Sequence, residues 1–203
     1  MIPPLVRLPA TLLDHDSLDA LARCVELAGK GRTVALGDQR ARTGAVLDGF
    51  VVAAALAARG AAGRLGVVAS VGTGRAASLV AREATAAQLL GACDVLVLDG
   101  PAADCRDAAR IIGALFTEGV HTVTTPSSSV VDARNLPLPD VLGGPPVCWR
   151  EGDDVLQLVD GAAASRGRAV VAAPPLPAPT EGVLVVVELA LDTPAALAAA
   201  LAR

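Results

Sequence analysis

Apolar positions along this chain fall into two kinds of block. The first kind is short and almost wholly apolar: TVAL at 33–36, RLGVVASV at 64–71, DVLVLDG at 94–100 and VLVVVELAL at 183–191. Runs this brief and this uniform predict strands covered on both faces, as in a parallel sheet. The second kind repeats at the helical period. Across 74–91, Ala76, Val80, Ala84, Ala87 and Gly91 share one face, while Arg75, Ser78, Arg82 and Thr85 form a polar stripe. Leu18, Leu21, Ala22 and Val25 mark an earlier helix behind an Asp16 N-cap. Ala108, Ile111, Ile112 and Leu115 mark a later one behind Asp104, and Val155, Leu158, Val159, Ala162 and Ala163 predict another. Thr193 followed by Pro194 opens a terminal helix. Residues 50–58 are apolar round the whole helix, which predicts an element sandwiched between layers or packed on another subunit. Strands that alternate with helices need right-handed crossovers, so the fold class is α/β, in a single domain over residues 1–203.

Composition narrows the function. Hydrophobic residues make up 53% of the chain, yet there is no Tyr, one Trp and two Phe, so base-stacking platforms for nucleic acid are missing. A net charge of −4 without a basic cluster also argues against a phosphate-backbone partner. The four cysteines, Cys24, Cys93, Cys105 and Cys148, form no CxxC pattern, and with two histidines beside them they predict buried free thiols and no metal site. The N-terminal stretch lacks the charge and apolar core of a signal peptide, and no apolar run reaches membrane-spanning length, so a cytoplasmic location is expected.

Chemistry is sparse. His15 sits beside a helix cap and His121 near a strand start, and no nucleophile elbow is present. The adjacent acids Asp153 and Asp154 fit the start of the predicted fifth helix. One motif stands out: Gly72, Thr73, Gly74, Arg75, Ala76, Ala77 reads G-x-G-x-x-A between a strand and a helix. Such glycines let backbone amides approach a phosphate at a helix N-terminus, and Asp99 follows at the spacing of a ribose-binding acid. A Rossmann-type dinucleotide site is one reading, although this strand is third in the chain rather than first. A tight turn without ligand is another.

The segments LDGFVVAAALAARGAAGRLGVV, LVAREATAAQLLG, LARCVELAGKGRTVALGDQ and VVDARNLPLPDVLGGPPV also form a pattern. Together they resemble the luciferase-like monooxygenase family over residues 18–150, in the same order. The resemblance implies a compact or incomplete (β/α) barrel of the TIM type. It further implies a flavin- or deazaflavin-dependent oxidoreductase, with flavin mononucleotide or deazaflavin as cofactor, and pairing through helices. Differences are also visible. That family's Gly-Gly-Arg before the fourth strand is Gly91, Ala92, Cys93 here; its Asp-His pair is Asp38, Gln39; and its long insertion is missing, since Asp104 already starts a helix. These losses leave a second function open: a non-catalytic barrel serving as a partner subunit or ligand binder. In a barrel, ligand residues gather at the C-terminal strand ends, which predicts a site among Asp38, Gln39, Ser70, Gly72, Thr73, Gly74, Arg75, Asp99 and Gly100. The expected partner is a second copy, or a fuller luciferase-like subunit carrying the cofactor, with no nucleic acid and no membrane.

Overall fold

The computed structural model describes residues 2–13, 17–41, 43–72, 75–118, 120–124, 129–134, 144–159, 162–188 and 193–203. Eight of its strands close into a barrel: β1 (Leu5–Arg7), β3 (Thr33–Leu36), β6 (Arg64–Ser70), β7 (Leu96–Asp99), β10 (Val147–Glu151), β11 (Asp154–Val159), β12 (Ala162–Ala172) and β13 (Val183–Val187). They follow one another round the barrel in chain order, and β13 returns to pair with β1, Leu5 opposite Leu184. All run the same way except β11, which is antiparallel to both neighbours. β6 lies between β3 and β7 with no reversal of order, so the switch point at which a Rossmann sheet binds its dinucleotide does not form. The barrel is closed rather than incomplete.

Helices α1 (Ser17–Ala28), α2 (Gly49–Ala58), α3 (Ala77–Leu89) and α4 (Ala102–Glu118) follow the first four barrel strands, and α5 (Pro194–Leu201) follows the last. α5 begins as its sequence predicts, with Thr193 Oγ1 accepting from the Ala196 amide. Two small sheets decorate the barrel: β2 (Leu12–Leu13) with β4 (Gln39–Ala41) and β5 (Val46–Leu47), and the hairpin β8 (Val120–Thr124) with β9 (Ser129–Arg134). The polar stretch after β3 therefore contains a strand, β4.

The apolar runs are buried on both faces because the barrel has an inside and a covered outside. Leu5, Ala35, Val68, Val97, Cys148, Val155, Ala169 and Leu184, one from each barrel strand, form the inner cluster. Side chains this small let the strands close tightly, leaving a packed core rather than a pore. Alternate residues point outward. Val67, Ala69, Leu96, Leu98 and Trp149 meet Val80, Ala84, Ile111 and Ile112 of α3 and α4. Val6, Val34, Leu36 and Val185 meet Leu21 and Val25 of α1, Leu56 of α2 and Leu197 of α5.

The helix expected over 155–163 is a correction. Residues 155–159 belong to β11 and 162–163 to β12, with 160 and 161 outside the described residues, and Asp153 and Asp154 belong to the hairpin between β10 and β11 rather than to a helix start. The spacing of Val155, Leu158 and Val159 suits a helix, but Val155, Leu156 and Gln157 are all buried, as strand residues between two covered faces must be. Gly152, at φ 61°, supplies the left-handed turn that reverses the chain there. β12 then reaches β13 through the proline-rich connector 173–182 without a helix. Two boundaries also move: α3 begins at Ala77, and Asp104 lies in the first turn of α4 instead of capping it. Asp16 and His15 lie outside the described residues.

Candidate functional site

Strand alternation determines what caps the barrel. Two residues beyond the inner positions Leu5, Ala35, Val68, Val97 and Cys148 come Arg7, Gly37, Ser70, Asp99 and Arg150, so the C-terminal mouth is polar where the interior is apolar. Arg7 Nη2 donates to Asp99 Oδ2 at 2.7 Å. β1 and β7 are separated by β3 and β6, so this bond spans the mouth instead of following its edge. Two clefts flank Arg7. One, of about 200 Å3, lies among Arg7, Pro9, Asp38, Val68, Ser70 and Asp99. The other, of about 500 Å3, lies among Arg7, Leu8, Arg150, Val186, Val187 and Glu188. The Arg7 and Asp99 side chains are 34% and 45% exposed, so the pair is solvent-screened and can be exchanged for a ligand at little cost to the fold.

The residues expected from the sequence divide between this mouth and other tasks. Asp38, Ser70 and Asp99 are together at the smaller cleft. Asp38 is also held in place by the Gly49 amide, which donates to its Oδ1 at 2.9 Å. Gln39 is fully buried and acts as a clamp. Its Oε1 accepts from the amide and hydroxyl of Thr11 at 2.8 and 2.9 Å, while its Nε2 donates to the Gly37 carbonyl, tying the segment after β1 to the end of β3. Gly100 packs on the backbone just past β6: a Cβ there would lie 2.6 Å from the Val71 oxygen.

The glycine-rich turn is not arranged as a phosphate cradle in its described part. A Cβ on Gly72 would meet Asp104 Oδ2 at 2.3 Å, so a carboxylate lies against the glycine where an anion would need amides alone. Arg75 pairs with Asp48 at 2.7 Å and with Glu83, and its guanidinium lies 5.3 Å from the centre of the Phe50 ring. It joins α2 to α3 and is already neutralised. Thr73 and Gly74 lie outside the described residues.

Arg7, Arg150 and Glu188 are the mouth residues that sequence reasoning missed. The signal for Arg7 is a charge at the end of an apolar strand, two residues from Leu5 and hence on the same face.

Among the described residues no group of three or more His, Cys, Asp or Glu converges as a metal site. All four cysteines are free and buried, and burial pushes each thiol up to about 12, so none is a thiolate nucleophile at neutral pH. No described helix is long and apolar enough to cross a membrane. The mouth thus presents two guanidinium groups, Arg7 bonded to Asp99 and Arg150 donating through Nε to the Gly152 carbonyl at 2.6 Å, with the carboxylates of Asp38, Asp99 and Glu188 and the Ser70 hydroxyl around them. Comparison with protein-family models and with curated proteins finds no match.

Proposed function

We propose that this chain is a contracted luciferase-like barrel, a flavin- or deazaflavin-dependent oxidoreductase homologue of the reducing cytoplasm, that takes its ligand at the C-terminal mouth. The observation carrying this reading is the charged layer across one end of a closed, apolar barrel, with Arg7 and Asp99 bonded over it. Arg7 and Arg150 fit the phosphate of such a cofactor, and Leu8, Val186 and Val187 offer apolar surface to its ring. In its described part the glycine-rich turn is engaged elsewhere, Gly72 against Asp104 and Arg75 with Asp48 and Glu83. When bound, the cofactor supplies the hydride chemistry. The chain's own part is to bind and orient: Arg7 exchanges Asp99 for the ligand anion, and the released Asp99 carboxylate and Ser70 hydroxyl face the smaller cleft as acceptor and donor.

The test is titration with flavin mononucleotide and with a deazaflavin coenzyme, followed by absorbance and fluorescence. Saturable binding is expected, weakened about tenfold or more in Arg7→Gln, because a charge-assisted bond to phosphate contributes about 1.5 kcal/mol or more. Thermal stability of that variant should stay within about 1 kcal/mol of the parent, since the lost ion pair is half-exposed. No binding of either cofactor would remove the oxidoreductase reading.

A second reading, a non-catalytic partner subunit, is favoured by α2. Val51 is 63% exposed, Ala58 is exposed on the same face, and Val46 just ahead of the helix is 65% exposed. A second copy, or a fuller barrel carrying the cofactor, would cover this apolar face. Val51→Glu is expected to leave folding intact and shift a dimer to monomer in sedimentation. Val52→Glu, at a position 3% exposed, should unfold the chain by burying a carboxylate. A wild-type monomer at micromolar concentration rules out the homodimer.

A further inference from the structure

We propose that the opposite end of the barrel, at the N-terminal ends of β1, β3 and β6, carries a separate binding site for a small oxyanion of the phosphate class. A cleft of about 260 Å3 opens there, lined by Pro3, Pro4, Arg32, Thr33, Arg64 and three glycines at 29, 31 and 63. Arg32 is only 7% exposed. Its Nη2 donates to the Pro177 carbonyl of the connector between β12 and β13, but Nε and Nη1 are buried without a hydrogen-bond partner. The adjacent Thr33 hydroxyl is buried and unpartnered as well.

A buried guanidinium normally has a carboxylate opposite it, because desolvating a lone charge is expensive. Among the described residues none faces Arg32, and burial alone pulls its pKa below the ordinary arginine value. Arg64 brings a second guanidinium to the rim, bonded through Nε to Asp94 Oδ2 at 3.2 Å. Two cations against one carboxylate leave the cleft one positive charge in excess. The unsatisfied groups, Nε, Nη1 and a hydroxyl, are all able to donate. A tetrahedral oxyanion provides the missing charge and several acceptors in one small group. Arg32 also holds the Pro177 carbonyl, so an anion here would strengthen the tie between β3 and the one barrel crossover that lacks a helix. This inference does not depend on the mouth, which lies at the other end of every parallel strand.

Thermal unfolding of the full chain in sodium phosphate, against sodium chloride at matched ionic strength, tests it. Phosphate should raise Tm saturably, by about 5 °C once its concentration is a hundredfold above the dissociation constant. Glycerol phosphate in a parallel series separates a phosphate ester, if it binds more tightly, from free phosphate. The shift should vanish in Arg32→Gln and need several-fold more phosphate in Arg64→Gln, an exposed position that keeps the fold. Should Arg32→Gln fail to fold, the Arg64→Gln midpoint decides alone. Equal shifts in phosphate and chloride, or a phosphate midpoint unchanged in the variants that fold, overturn the proposal.

Discussion

Replacing Gly167 with Ala should destabilise the protein by about 3 kcal/mol or more, from a single added methyl group. Gly167 lies in β12 just before the register with β13 begins, at Arg168 opposite Val183. A Cβ on Gly167 would lie 2.1 Å from the Gly182 carbonyl oxygen and 3.1 Å from its Cα. Both are backbone atoms and cannot rotate away. The Gly182 carbonyl is also engaged, accepting from the Arg168 amide at 2.8 Å. Relieving the clash therefore means separating β12 from β13, one of the joints that closes the barrel. Gly152→Ala is the control: nothing lies within 4 Å of a Cβ there, so only the positive φ opposes it, at about 1 kcal/mol. Urea unfolding of the two variants should give clearly different midpoints.

The second large effect is expected at Trp149. It is 1% exposed and heads the largest fully buried side chains. From β10 it points outward into the cluster beneath α3 and α4, beside Leu98, Ile111, Ile112 and Leu156. Trp149→Ala should cost about 4 kcal/mol, combining lost burial with the cavity left among rigid neighbours. Trp149→Phe retains most of the volume and should recover more than half of that. The chain has no Tyr and no other Trp, so the parent's fluorescence reports unfolding from this one position. Circular dichroism must follow the variants.

How much of this was legible in the sequence depended on the range of the interactions involved. β3, β6 and β7 could be read because a barrel buries both faces of a strand, and Val-rich runs state that locally. The stretch 155–163 misled because its apolar spacing suits a helix, whereas Val155, Leu156 and Gln157 in succession are buried as in a strand covered on both faces; the hairpin glycine at 152 was the decisive residue. That Asp38, Ser70 and Asp99 lie together at the mouth followed from the rule that the C-terminal ends of barrel strands gather at one rim. Gly72 and Arg75 fitted a local motif, but Asp104 lies against the glycine and Arg75 is paired with Asp48 and Glu83, which turns the motif into structure. Arg7 was hidden for the opposite reason: its partner Asp99 is 92 residues away, and a three-residue strand leaves almost no periodicity to read.

The proposed ligand site of this barrel is its C-terminal mouth. Backbone amide chemical shifts recorded during a titration with flavin mononucleotide test it most directly, because they report where a ligand sits whatever its affinity. The predicted result is a set of perturbations centred on Arg7, Ser70, Asp99 and Arg150. Perturbations confined to residues 72–76, or none at saturating ligand, would contradict it.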